Sequence, residues 1–340
     1  MLKELLKREY PILLGPMAGV TDRVFRRICR ANGSMAAYTP MISAKSIVYG
    51  NEATEDLMQA DRDEPMLALQ FFTHEPDVLR GAAEKTDLSP YAWVDINMGC
   101  PTPKVTKQGD GCALMKEPEK ARELIRILKQ SVSCPVSIKM RAGWDAGHLN
   151  AVSFAKMAED AGADMICVHP RTAVQMYRGR ADARIWEQVS AAVGIPVVAS
   201  GDMDSLQQAR TAFDAGCAGI MIARGSYGDP WIFSRLAQQL RGREYAEPSD
   251  TERFATAVAH ARMLAEDLPE RVAMLQMRKH IAWYIHGYRD AAVLRARINE
   301  TVTLRMLEEE ICRYAEQTLD IAGEALLERA HKIQKSVMCQ

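Results

Sequence analysis

A cysteine at the end of an apolar segment is the first residue that suggests chemistry. Residues 93–97 form a short, β-branched, apolar run of the kind found in buried strands, and it ends at Gly99, Cys100 and Pro101. A thiol held between glycine and proline just past a strand lies on a loop, where a ligand can reach it. On this segment alone the alternative, a small buried hydrophobic side chain, stays open.

Composition and charge narrow the class of protein. The 340 residues include eight cysteines without a Cys-x-x-Cys pair or a zinc-spaced Cys/His cluster, so we expect neither disulfides nor a metal site. A formal net charge of −1 excludes a globally basic nucleic-acid-binding protein, so a polyanion would have to meet a local patch. No apolar run approaches the ~20 residues of a membrane span, and the N-terminus lacks a signal-peptide core. We therefore expect a cytoplasmic protein without a membrane partner.

Eight apolar segments that end in turn residues recur along the first two thirds of the chain. They are residues 12–17, 35–38, 66–71, 93–97, 136–140, 165–169, 197–200 and 219–222. Amphipathic helical stretches separate most of them. This alternation predicts an α/β fold, the (β/α)8 TIM barrel. A doubly wound sheet is the competing fold, but it usually has fewer strands, and no Gly-x-Gly-x-x-Gly follows the first segment.

Barrels of this kind bind ligands at the carboxyl ends of their strands. The residues at those positions are Pro16, Met17, Ala18, Gln70, Asn97, Lys139, Arg141, His169, Arg171, Ser200, Gly201, Asp202, Ala223 and Arg224. Polar groups at the ends of buried strands are costly unless something pairs with them. The last five follow strands seven and eight, where barrels commonly bind phosphate, and small residues there would let the backbone approach it. The pattern predicts a phosphate-bearing cofactor or substrate.

The pattern changes at about residue 241. A polar, turn-rich segment is followed only by helical periodicity, which predicts a barrel at residues 1–240 and a small all-α helical bundle at 241–340. Residues 271–305 carry seven Lys or Arg against two acids, with Trp283 and Tyr284 among them. Basic and aromatic residues together favour RNA binding, although a solvated helix face is the open alternative.

Six motifs in order resemble those of the tRNA-dihydrouridine synthases, closest to the bacterial B type. They are GPMAGVTD at 15–22, NMGCP at 97–101, KMR at 139–141, HPRT at 169–172, SGD at 200–202, and RKH at 278–280 followed by Trp283 and Tyr284. The resemblance covers residues from about 10 to about 290. It implies an FMN-containing (β/α)8 barrel with a C-terminal helical tRNA-binding domain, which reduces a uracil base in tRNA with NADPH as electron donor.

The resemblance also implies residue roles. Cys100 would donate a proton to the uracil, a task that suits a thiol because, unlike an ordinary carboxylic acid, it keeps its proton at neutral pH. The FMN-binding residues would be Pro16, Met17, Ala18, Gln70, Lys139 and His169 at the ring, with Ser200, Gly201, Asp202, Ala223 and Arg224 at the phosphate. The tRNA contacts would be Asn97, Lys104, Lys107, Arg141, Arg171, Arg178, Arg278 and Lys279. The family usually has Asn at the position of Ser200 and Gly at those of Pro170 and Ala223.

Three other functions remain to be distinguished at this stage. A flavin barrel acting on a free pyrimidine, such as a dihydroorotate dehydrogenase, also pairs FMN with a cysteine, but it would not need the basic helical segment. A phosphosugar isomerase or lyase barrel would contain no flavin. A non-enzymatic RNA-binding protein on a degenerate barrel would have lost the polar strand-end residues, which are present here. We expect a monomer.

Overall fold

The first of two compact units is a closed parallel barrel. The computed structural model describes residues 2–51, 53–61 and 64–339, and its internal contacts divide the chain into Met1–Arg23 with Ser34–Arg224, and Val24–Gly33 with Gly225–Gln340. The strands are β1 (Ile12–Leu14), β2 (Ala36–Tyr38), β3 (Ile42–Ser43), β4 (Leu67–Phe72), β5 (Trp93–Met98), β6 (Val136–Arg141), β7 (Met165–His169), β8 (Val197–Ser200) and β9 (Gly219–Ile222). They pair in the order β2-β1-β9-β8-β7-β6-β5-β4-β3, and a pairing of β2 with β4 closes the ring.

The predicted TIM barrel is confirmed, and each of the eight predicted strands is present. The ninth, β3, is a two-residue strand that pairs in parallel with the end of β4. It is separated from β2 by Pro40, whose ring removes the backbone N–H that a continuous strand would use. So short an extension shows no period that a sequence pattern could reveal.

Helices of the first unit alternate with these strands. They are α1 (Leu2–Leu5), α3 (Ala44–Val48), α4 (Ala53–Met58), α5 (Pro76–Lys85), α6 (Pro103–Thr106), α7 (Pro118–Ser131), α8 (Ala151–Asp160), α9 (Arg184–Ser190) and α10 (Leu206–Asp214), with a 3₁₀ turn at Gly111–Lys116. A second 3₁₀ turn, Arg224–Ser226, begins at the last residue of this unit. Proline begins α5, α6 and α7, because the first helical position needs no N–H donor. Ser205 caps α10 by accepting a hydrogen bond from the Gln208 N–H.

Inside the barrel, apolar side chains fill one end and polar side chains the other. Leu13, Ala68, Trp93 and Met221 belong to the apolar cluster that Leu2 of α1 also joins. Successive side chains of a strand alternate between the two faces of the sheet, so inward-facing residues recur every second position. In the register, residue 70 pairs with 95, 95 with 137, 97 with 139, and 141 with 169. All seven of these side chains are polar, and they share the inner face towards the carboxyl ends of their strands.

The second unit is an all-α bundle. It contains α2 (Arg23–Ala31) from Val24 onward, α11 (Ile232–Leu240), α12 (Asp250–Asp267), α13 (Glu270–Tyr284), α14 (Ala291–Glu300), α15 (Leu304–Leu319) and α16 (Gly323–Met338). Ser249 caps α12, and Thr303 caps α15. The division lies after Arg224, earlier than the predicted boundary at residue 240, because Trp231 beside α11 packs in the core of the bundle, edge to face with Tyr284. Within the described ranges, no helix combines the length and apolar character needed to cross a membrane.

Candidate active site

Cys100 lies on the loop that directly follows β5. Its N–H donates to Asn97 Oδ1 at 2.9 Å, and the Gly99 N–H donates to the same oxygen at 3.2 Å. Gly111 backs the loop with φ +59°, and a Cβ there would lie 2.7 Å from the Cys100 carbonyl oxygen. The sulfur is partly exposed, with the Thr102 hydroxyl 3.3 Å away. The backbone of Cys100 is therefore fixed while its thiol stays accessible.

A chain of buried polar side chains continues behind Asn97. Asn97 Nδ2 donates to Gln70 Oε1 at 2.8 Å, and Gln70 Nε2 donates to Asp95 Oδ2 at 2.7 Å. The Ser137 hydroxyl donates to the other carboxylate oxygen of Asp95. Burial raises the pKa of Asp95 to about 6, and the hydrogen bonds from Ser137 and Gln70 oppose that rise.

Gln70 and Asn97 are among the predicted site residues, whereas Asp95 and Ser137 are not. Gln70 is fully buried, and both ends of its amide are engaged inside the chain of side chains. The missed residues could have been found from alternation, because Asp95 is an inward-facing charge two positions before Asn97 in an otherwise apolar strand.

His169 ends β7 amid positive charge. Burial lowers the pKa of His169 well below its ordinary value, and Lys139, Arg141, Arg171 and Arg224 lower it further. The imidazole is therefore neutral, and its Nε2 lies 3.3 Å from Arg171 Nη1, which makes that nitrogen the acceptor. A Cβ on Gly201 (φ +98°) would lie 2.5 Å from the His169 ring, so only glycine fits there.

Arg171 is buried and paired, which revises its predicted contact with tRNA. Its Nη1 and Nη2 donate to the two carboxylate oxygens of Asp202 at 2.8 and 2.6 Å, and Nη2 also donates to the Gly179 carbonyl at 2.6 Å. Partial burial raises the pKa of Asp202, but the hydrogen bond from Arg171 lowers it, and the resulting pKa lies below its ordinary value. With its donors committed to protein acceptors, Arg171 shapes the loop after β7.

The predicted contact of Arg141 with tRNA is revised in the same way. Its Nε donates to the Gly99 carbonyl at 2.9 Å, and its Nη1 donates to the carbonyls of Thr172 and Met176 at 2.8 and 2.7 Å. Burial lowers the pKa of the guanidinium, which nevertheless stays a cation. Arg141 thus ties the cysteine loop to the loop after β7 instead of presenting its charge to solvent.

The other predicted cofactor residues occupy the same ends of the strands. Pro16, Met17 and Ala18 form a turn after β1, closed by the Thr21 side chain, which accepts from the Met17 N–H at 3.0 Å. Ser200 is buried at the end of β8, and Ala223 is half-buried after β9. Lys139 is half-buried on the inner face of β6. Arg224 is exposed, with its guanidinium 4.4 Å from the centre of the Tyr177 ring and 3.7 Å from Asp202.

The predicted tRNA contacts differ in exposure. Lys104, Lys107 and Arg178 are exposed in the first unit, on α6, at its end and on the loop after β7. Arg278 and Lys279 are half-buried on α13 of the second unit, and Arg278 Nη2 lies 3.5 Å from the Thr301 carbonyl. The exposed group is better placed for a phosphate, while the roles of the other two stay predictions.

Residues 13–320 of the chain match the family model of the dihydrouridine synthases. The chain belongs to the dihydrouridine synthase family. It is 37% identical over 290 residues to the probable tRNA-dihydrouridine synthase 1 of Synechocystis sp., covering 84% of this chain and 81% of the relative. It is 34% identical over 294 residues to tRNA-dihydrouridine synthase B of Shewanella oneidensis, with coverage of 86% and 91%, and 32% identical to that of Vibrio cholerae, with the same coverage.

Membership in this family confirms the resemblance found in the motifs. Dihydrouridine synthases are flavin-dependent oxidoreductases, so this chain is an oxidoreductase. The isomerase and non-enzymatic alternatives are thereby excluded, and the free-pyrimidine alternative loses its support. The predicted residue roles are a separate matter and rest on the geometry of the site.

The residues of this dihydrouridine synthase fit a flavin that carries a phosphate. Lys139 and Arg224 bring positive charge towards His169, as the direction of its pKa shift shows. Gly201 and Ala223 keep the ends of β8 and β9 free of bulky side chains. A positively charged mouth with small residues after the last two strands suits an anionic cofactor.

Proposed function

We propose that this enzyme reduces the carbon 5–carbon 6 double bond of uridines in tRNA to give dihydrouridine, with bound FMN and with NADPH as electron donor. The observation that carries the proposal is the setting of Cys100. Its thiol is accessible on a loop that Asn97 and Arg141 hold beside Lys139 and His169. An acid and a cationic, flavin-compatible group of residues thus share one end of the barrel.

The strand ends supply the groups that would hold FMN. Lys139, His169 and the turn at residues 16–18 would contact the ring, while residues 200–202 and 223–224 would bind the phosphate. Gln70 would reach the ring only through a donor and an acceptor site that its present hydrogen bonds leave free. When bound and reduced by NADPH, the flavin would supply the hydride for carbon 6 of the uracil.

Cys100 would complete the reduction. As the hydride bonds to carbon 6, the electron pair of the double bond moves to carbon 5 and is delocalised onto the oxygen at carbon 4. The S–H bond of Cys100 then breaks, its proton bonds to carbon 5, and the thiolate regains a proton from solvent. General acid catalysis of this kind contributes about 10²–10⁴-fold in rate. The cation of Lys139 would stabilise negative charge that develops nearby.

The tRNA would be bound mainly through its phosphates. The target base must leave the stacked RNA before it can enter the barrel. Lys104 and Lys107 follow the cysteine loop, and Arg178 follows β7, so their exposed charges could contact phosphates next to that base. The basic segment at 271–305 would contact phosphates elsewhere on the tRNA.

The experiment begins with the protein as purified. Its cofactor is released by denaturation and identified by mass spectrometry, and the protein is then incubated with NADPH and either unmodified tRNA, free uridine or orotate. We expect FMN, and dihydrouridine in tRNA alone. Absence of flavin even after reconstitution with FMN would contradict the proposal, and so would reduction of a free pyrimidine with tRNA left unmodified.

A further inference from the structure

One buried carboxylate determines the direction of the hydrogen bonds that run from Ser137 to Cys100. An ionised carboxylate only accepts hydrogen bonds, whereas a side-chain amide has one accepting and one donating end. Facing Asp95, Gln70 must therefore present its NH2 group, which turns its oxygen towards Asn97. Asn97 must then present its own NH2 group to Gln70, which leaves its oxygen for the N–H groups of Gly99 and Cys100.

The chain of side chains is closed to solvent, so water cannot replace a reversed link. Gln70, Asp95 and Ser137 are each 0% exposed, and Asn97 is 6% exposed. The Gln70 backbone is fixed as well, since its N–H donates to the Thr39 hydroxyl at 3.1 Å. Turning either amide over would set donor against donor at one of its ends and acceptor against acceptor at the other, and unpaired buried groups of this kind are costly.

We propose that Asp95 is a positioning residue of the reaction, which orients Gln70 and Asn97 and thereby holds the backbone of Gly99 and Cys100. It does not touch the substrate. The inference rests on the proposed function only in that Cys100 is the acid whose place matters. Three successive hydrogen bonds link Asp95 to the Cys100 N–H, so its effect passes through the two amides.

Because Ser137 contacts Asp95 through a hydroxyl, we expect two substitutions at Asp95 to have different effects. A hydroxyl can donate or accept, so in Asp95→Asn the new NH2 group can donate to Ser137 Oγ while the new carbonyl still accepts from Gln70. The direction of the chain would be kept. Asp95→Ala removes the acceptor and frees Gln70 to turn over. The two variants should therefore behave differently, although both remove the negative charge.

The test is amide hydrogen exchange at Gly99 and Cys100, measured in the flavin-loaded protein without tRNA. In Asp95→Ala both amides should exchange roughly fivefold faster, the size expected for losing one buried hydrogen bond, while Asp95→Asn stays near wild type. Ser34→Ala is the matched control, because it removes one buried hydrogen bond, from Ser34 Oγ to the Ala36 carbonyl, before β2. Dihydrouridine formation by Asp95→Ala should show a lower kcat with KM nearly unchanged.

A second variant tests the path itself. Gln70→Leu breaks the middle link and should speed the same two amides, and Asp95→Ala added to it should have no further effect on them. If Asp95→Ala fails to fold, Gln70→Leu alone still tests the inference. Unchanged exchange in folded Asp95→Ala or in Gln70→Leu, additive effects in the double variant, or equal behaviour of Asp95→Asn and Asp95→Ala would each overturn the inference. Because exchange is read without tRNA, these outcomes are distinct from a failure to make dihydrouridine.

Discussion

Acid should destabilise the helical unit through two histidines that are buried side by side. His260 on α12 and His280 on α13 are 0% and 1% exposed, with ring centroids 4.4 Å apart. Burial, with a smaller effect from the charge of Lys279, lowers the pKa of His260 to about 3. Burial and the neighbouring His260 also lower the pKa of His280 well below its ordinary value. Both rings are therefore neutral in the folded protein.

The size of the effect follows from proton linkage. An unfolded histidine has a pKa of about 6.5, so below that pH the unfolded chain binds protons that the folded chain does not. For His260 alone, a change from pH 7 to pH 5 should lower the free energy of unfolding by about 2 kcal/mol, at about 1.36 kcal/mol per pKa unit. His280 adds a contribution of the same sign. This stability is present above pH of about 6.5 and is lost as the pH falls towards the folded pKa values.

The assay compares variants, because other groups titrate in the same range. Asp95 in the first unit acts in the opposite direction, since its raised pKa makes the folded state bind a proton before the unfolded state does. Urea unfolding of wild type and of a His260→Leu/His280→Leu double variant is measured at pH 7 and pH 5. Between pH 7 and pH 5, the free energy of unfolding should decrease less in the double variant than in wild type, because the contribution of the two histidines is gone. The control His331→Gln, at an exposed position, should show the same decrease as wild type. An equal decrease in wild type and double variant would refute the reasoning.

The remaining predictions concern the active site and the RNA. Cys100→Ala should keep its flavin and its NADPH oxidation but form dihydrouridine about 10²–10⁴-fold more slowly. The control Cys112→Ala should stay active, because Cys112 is buried. Full activity of Cys100→Ala would exclude Cys100 as the acid. Asp202→Ala leaves the Arg171 cation buried and unpaired, so thermal unfolding should show a loss of about 3 kcal/mol, and an unchanged melting temperature would contradict this pairing. A variant with Ala at residues 278, 279, 295 and 297 should bind tRNA more weakly, and the slope of log K against log salt concentration should shrink by up to about 0.7–0.9 per lost contact. Its rate of NADPH oxidation should be unchanged. An unchanged slope would make this segment an ordinary solvated helix face.

The strands could be predicted because a buried parallel strand is apolar throughout and ends at a turn. The segment from Trp93 to Met98 is apolar except for Asp95 and Asn97, and the position of Cys100 after it followed from Gly99 and Pro101 alone. The predicted cofactor-binding positions lie together at one end of the barrel, since the fold itself gathers the carboxyl ends of the strands. Each of these features depends on residues that are adjacent in sequence.

What could not be predicted depends on partners that are distant in sequence. Arg171 looked like a phosphate ligand because it is a basic residue on a loop, yet its partner Asp202 lies 31 positions away on another loop. Trp231 follows the barrel strands in sequence, yet it packs among the helices of the second unit. In both cases the local pattern suits two environments equally well, and tertiary packing selects one of them.

The cations of the barrel mouth argue for an anionic ligand. Arg141 directs its donors at backbone carbonyls, so its charge is solvated by dipoles and is not neutralised. Asp202 already receives both ends of the Arg171 guanidinium, and Arg224 reaches it only at 3.7 Å. Burial holds His169 in its neutral form, and these cations act in the same direction, so the imidazole adds no further charge. The remaining positive potential, with Lys139 on the inner face, is the electrostatic complement of a phosphate and of a ring that gains negative charge when it is reduced.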